Sequence, residues 1–156
     1  MELCYTIRAQ EKEVSLLARG NRIYFTAEEI KAMRELDCNF DHYFSAVDNK
    51  ELYEWLLKQG MWLILDKFSR YVRADKTLTS GKSIYFSYQE INFMSSFICE
   101  IDKYFPAAGD QERKEQLINT AGKALIKFVW CFNKHYGDDK QYPLKKYCKY
   151  EKVIIC

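Results

Sequence analysis

The sequence predicts an α+β fold of about four main helices beside a small, mostly antiparallel sheet. Three observations carry this expectation. A segment recurs at an offset of 61 residues, each copy reads as turn, strand, helix, helix, and short alternating apolar runs flank the copies. Residues 20–56 lie over 81–117 without gaps, and fifteen of the 37 positions are identical. Ordinary composition gives about two or three by chance. Among the matches are Gly20/Gly81, Ile23/Ile84, Tyr24/Tyr85, Phe25/Phe86, Glu29/Glu90, Cys38/Cys99, Asp41/Asp102 and Phe44/Phe105. The expectation is one internally duplicated pseudo-two-fold domain, 1–156. Copy one runs from about 14 to 73, copy two from about 76 to 135, and a basic, aromatic extension covers 138–156.

Taken in order, residues 3–8 alternate as a strand does. Residues 14–18 read as a second strand, joined to 23–25 by the hairpin signal Gly20-Asn21. Ile-Tyr-Phe in each copy is β-branched and aromatic, which suits a short strand. Gly20 and Gly81 read as permissive turn positions. Thr26 or Ser87 then stops the strand, and Glu29 or Glu90 three residues later completes a capping box. Ile30, Met33, Leu36, Phe40, Tyr43, Phe44 and Val47 form one helical stripe, which Asp37-Cys38-Asn39 loosens. Ile91, Met94, Phe97, Ile98, Ile101, Tyr104 and Phe105 form the equivalent stripe. Second helices start near Asp48 and Asp110, and both are apolar over more than one stripe, so they belong near the centre. Gly60 aligns with Gly122 and implies a close approach or a kink in each second helix. Residues 77–79 occupy a strand position before Gly81, and residues 152–156 read as a last short strand.

Composition limits the function. Hydrophobic residues make up 48% of the 156 and charged residues 29%, which excludes a disordered chain. The longest apolar run, residues 61–65, is too short for a bilayer, and the start lacks the pattern of a secretory leader. A cytoplasmic protein with no membrane partner is expected. The six cysteines form no CxxC pair, and His42 and His135 have no second ligand at metal spacing. They read as buried thiols and a solvent-facing and a helix-end imidazole, with no metal. Gly81-Lys82-Ser83 mimics the end of a P-loop, but position 76 is lysine where glycine is required, and a strand follows instead of a helix. No GxSxG, HExxH or GxGxxG occurs, so neither catalysis nor a cofactor is expected.

The net charge of +2 hides a gradient. From Lys123 onward eight lysines face three carboxylates, an excess of five, while residues 1–122 carry a net charge of −3. With 12 Tyr and 3 Trp, the expected function is a non-catalytic module that occupies a partner protein's surface, as inhibitors and immunity proteins do. Trp55 and Trp62, on different sides of one helix, and Trp130 are candidate anchors. Asp41 and Asp102, retained in both copies, are candidate partner-binding carboxylates; the simpler alternative has each hold a lysine or backbone group at a helix end. The alternative function is a nucleic-acid-binding accessory subunit. It would use Lys140, Lys145, Lys146, Tyr147, Lys149 and Tyr150, where cations track phosphates and rings stack on bases.

Overall fold

A computed structural model describes residues 19–44, 50–137 and 142. The strands expected at 3–8, 14–18 and 152–156, and the Asp48 cap, lie outside these residues. Strand β1 (Asn21–Phe25) leads into α1 (Ala27–Cys38) and α2 (Phe40–Phe44), then α3 (Lys50–Lys58) and α4 (Met61–Ala74). Strand β2 (Lys82–Phe86) leads into α5 (Tyr88–Cys99) and α6 (Ile101–Tyr104), then a 3-10 turn (Ala108–Asp110) and α7 (Gln111–Tyr136). The described residues are mostly helical and carry a two-stranded antiparallel sheet, an α+β architecture.

The strands pair with Ile23 opposite Ile84. Alternation turns Ile23, Phe25, Ile84 and Phe86 inward and leaves Arg22, Tyr24, Ser83 and Tyr85 outward. Both capping boxes form. Thr26 Oγ1 accepts from the Glu29 amide at 3.2 Å while Glu29 Oε1 accepts from the Thr26 amide at 2.8 Å. The Ser87–Glu90 pair does the same at 3.1 and 2.9 Å. A cap of this kind satisfies orphan helix amides and stabilises by about 1 kcal/mol.

Four phenylalanines form the centre, all fully buried. Phe25 meets Phe68 edge-on at 4.9 Å, and Phe86 meets Phe128 edge-on at 4.9 Å. The crossed pairs, Phe25–Phe128 and Phe68–Phe86, are both 5.7 Å apart. Each ring pair of this geometry adds about 0.5–1.5 kcal/mol beyond burial. Phe44 and Phe105 touch at 5.6 Å at the far end of the same core.

Several expectations need correction. Among the described residues, five helices of nine or more residues and two short ones stand where about four main helices were expected. The first helices break at Asn39, as Asp37-Cys38-Asn39 suggested, and also at Glu100, where nothing local announced it. Asn39 ends α1 by donating its side-chain amide to the Glu35 carbonyl at 3.0 Å. The second helices differ from each other: α3 and α4 are separated at Gly60, whereas α7 runs unbroken through Gly122. Gly60 has φ 90°, a left-handed conformation that glycine takes without a Cβ penalty. Buried Leu56 and Phe68 are twelve residues apart, but buried Leu117 and Phe128 are eleven apart. The extra residue is absorbed at Gly60, so the alignment of Gly60 with Gly122 is wrong. Residues 77–79 form no strand, although Leu78 is buried.

Gly20 and Gly81 are not glycine for the sake of a turn, since neither has positive φ. A Cβ at Gly20 would overlap the Phe86 carbonyl oxygen and the Tyr85 ring. A Cβ at Gly81 would overlap the Phe25 carbonyl oxygen and the Tyr24 ring. Each outward tyrosine thus lies across the glycine of the neighbouring strand. Cys99 is buried as expected, but Cys38 is exposed, because it closes α1 on the solvent side of its last turn.

Candidate functional site

The outward face of the ribbon is held from behind by two lysines. Lys67 on α4 donates to the Tyr85 carbonyl at 2.9 Å and to Glu90 Oε1 at 2.8 Å. Lys127 on α7 donates to the Tyr24 carbonyl at 2.8 Å and to Glu29 Oε1 at 2.6 Å. The glutamates are those of the capping boxes, so each lysine ties strand end, helix start and long helix into one network. Each lysine also lies over aromatic rings: Lys67 is 4.8 Å from the Phe86 ring and Lys127 is 5.4 Å from that of Phe25. The networks cross over. The lysine that follows β1 in sequence clamps β2, and the lysine that follows β2 clamps β1.

On either side of this shared frame the surface differs. Beside β2, Arg22, Lys67, Arg70, Tyr71, Ile84 and Tyr85 line a shallow pocket of about 280 Å³. Arg22 stands directly opposite Tyr85. Arg70 and Arg73 both bond Asp66, at 2.9 and 2.7 Å, and these contacts hold the Asp66 carboxyl below its ordinary range.

The three tryptophan candidates are all exposed: Trp62 at 52%, Trp130 at 41% and Trp55 at 40%. Trp55 on α3 also covers the core edge, with its ring 5.9 Å from Phe93 and stacked 6.4 Å from Tyr104. Burial pushes the Tyr104 hydroxyl up to about 12, with the Glu100 charge adding to it. Ala32 on α1 and Thr120 on α7 share the wall of a second shallow pocket, and Phe93 holds the position on α5 that corresponds to Ala32.

Asp41 and Asp102 each accept a side-chain bond from a helix further along the chain. Tyr53 donates to Asp41 at 2.7 Å, and buried Lys114 donates to Asp102 at 2.8 Å. In both cases the donor lies twelve residues later, on α3 for Asp41 and on α7 for Asp102. The Tyr53 hydroxyl is raised by its bond to Asp41 first, then by burial and by the carboxylate's charge. His42 is exposed, with Nε2 3.4 Å from Gln116 Oε1.

Lys140, Lys145, Lys146, Tyr147, Lys149 and Tyr150 lie outside the described residues. Tyr142, within that extension, is buried against α5 and α7. Its backbone exchanges bonds with the Asn133 side chain at 2.8 and 3.0 Å, and its hydroxyl donates to Asn92 Oδ1 at 2.6 Å. Burial is the main cause that pushes this hydroxyl up to about 12.

Among the described residues no group of three or more His, Cys, Asp or Glu is arranged to hold a metal ion. No described helix is long and apolar enough to cross a membrane. The sequence reading did not single out Lys67, Lys127, Arg22 or Arg70. The lysines had a signal, since both lie on second helices one turn from matched core residues. The outward Tyr24 and Tyr85 follow from the alternation of Ile-Tyr-Phe. No protein family, curated protein or solved structure matches the chain.

Proposed function

We propose that the chain is an internally duplicated, non-catalytic protein-binding module that acts in the cytoplasm by occupying a partner's surface, as inhibitors and immunity proteins do. The observation that carries this reading is the adjacent pair Trp62 and Leu63, exposed at 52% and 47% at the start of α4. Fully burying such a side chain stabilises by about 1.5–3 kcal/mol, and each of these realises only about half of that. At the corresponding places α7 carries Gly122 and Lys123, so the shared frame does not require an apolar pair there. Tryptophan is a common interface anchor. Cys38 and Cys131, free thiols among the described residues, suit a reducing compartment. Fifteen matched identities, the mirrored phenylalanine distances and the crossed lysine clamps support the duplication.

The test is a tagged pull-down from source-cell lysate, with and without nuclease, repeated with Trp62→Lys. A stoichiometric protein that survives nuclease and falls at least tenfold with Trp62→Lys supports the reading. Partners that vanish with nuclease, or that ignore folded Trp62→Lys, Trp55→Lys and Trp130→Lys variants, contradict it.

A further inference from the structure

The two flanks of the ribbon share their frame and differ in what they offer to solvent. Beside β2 stand Arg22, Lys67, Arg70 and Tyr71. The corresponding residues beside β1 are Ser83, Lys127, Trp130 and Cys131. One flank therefore carries three cations and the other one. The shared cation, Lys67 or Lys127, is committed to a glutamate and a carbonyl in both flanks. Arg22 and Arg70 are the addition, and the frame does not need them.

Both arginines have donors to spare. Among the described residues no carboxylate pairs with Arg22, which donates from Nη1 to the Ser83 carbonyl over a long 3.4 Å. Arg70 bonds Asp66 through Nε, and its side chain is 64% exposed. A guanidinium with free Nη groups matches a phosphate's oxygens in a bidentate fork. Tyr85, half exposed, and Tyr71 place aromatic rings in the same wall. Cations beside rings form a surface that takes up phosphate and a planar base together. The pocket volume of about 280 Å³ suits a single such unit rather than a large cofactor. We propose that this pocket binds a phosphate group carried beside a planar base, as in a free nucleotide or a single-stranded nucleic acid.

The proposal is independent of the Trp62–Leu63 surface and of the Lys/Tyr extension. Its test uses the full chain, with a fluorescein-labelled oligouridine read by anisotropy, and UMP and inorganic phosphate read by calorimetry. Arg22→Gln/Arg70→Gln is expected to weaken binding at least tenfold with an unchanged melting temperature. Lys145→Gln/Lys146→Gln/Lys149→Gln is expected to change it less than threefold. Binding of UMP as tight as that of the oligomer assigns a free nucleotide, and tighter oligomer binding assigns a strand. For a strand, affinity should fall with salt with a logarithmic slope of about −1 to −2. The proposal is overturned if neither oligouridine nor UMP binds, if the arginine double variant binds within tenfold of the parent, or if inorganic phosphate binds as tightly as UMP.

Discussion

The two regions, residues 20–74 and 81–136, agree at the centre of the core and differ at several exposed positions. Phe25, Phe68 and Leu56 on one side correspond to Phe86, Phe128 and Leu117 on the other, all fully buried. The clamps on Glu29 and Glu90 are the same bond made twice. Outside, Arg22 faces the role of Ser83, Arg70 that of Trp130, and Trp62 that of Gly122. The difference teaches that close packing fixes the frame while solvent-facing positions vary without cost to folding. It also locates the two proposed surfaces, since Trp62 and Leu63 in one, and Arg22 and Arg70 in the other, have no like residue at the corresponding places.

The largest expected effects lie in the phenylalanine centre. Phe25→Ala, Phe86→Ala, Phe68→Ala and Phe128→Ala should each destabilise by about 3–5 kcal/mol in urea unfolding. Members of a pair should agree within about 1 kcal/mol, and a larger gap would break the equivalence of the two regions. Next come the glycines. Gly20→Ala and Gly81→Ala both force a Cβ into a neighbouring carbonyl and ring, and each should cost about 1–3 kcal/mol. A neutral result at one of them would show that its strand contact is looser than its counterpart's. Smaller still is Gly60→Ala, expected to cost about 1 kcal/mol because of its left-handed φ. Deleting Gly60 restores the eleven-residue spacing of α7, and circular dichroism should show helix content kept.

The alkaline limb sharpens the comparison further. Tyr142 ties the extension to α5 and α7, and residues 31 and 73, which correspond to its partners Asn92 and Asn133, are Lys and Arg. A tyrosine whose folded value rises from 10.0 to about 12 contributes stability that is full below pH 10. That contribution is lost as pH rises from 10 towards 12. Unfolding midpoints should therefore fall across this window, and Tyr142→Phe should shallow the fall. An equal fall in Tyr142→Phe would place the effect elsewhere, with Tyr104 the next candidate.

Much of the frame was legible in the sequence because it is local. The Ile-Tyr-Phe strands, both capping boxes and the break at Asn39 are written within a few residues of where they act. The lysine expected at Asp102 is Lys114, whereas Asp41 is met by the Tyr53 hydroxyl, neither a lysine nor a backbone group. The crossed clamps were not, because Lys67 and Lys127 meet partners 23 and 98 residues away, and no local pattern encodes that distance. Gly20 and Gly81 looked like turn residues because the ring that excludes a Cβ belongs to the other strand. The single extra residue at Gly60 was hidden by a coincidental glycine at 122. Of the surfaces, the tryptophans were legible as candidates but not in their placement, since Gly60 puts Trp55 on α3 and Trp62 on α4 instead of on one helix; the Arg22–Arg70 pocket assembles from separate elements.

The crossing of the clamps is the central claim, and double-mutant cycles in urea unfolding test it most directly. Lys67→Met with Glu90→Gln, and Lys127→Met with Glu29→Gln, should each show a coupling of about 1–2 kcal/mol. Lys67→Met with Glu29→Gln, and Lys127→Met with Glu90→Gln, should be additive within about 0.5 kcal/mol. Coupling between Lys67 and Glu29, with none between Lys67 and Glu90, would contradict the account.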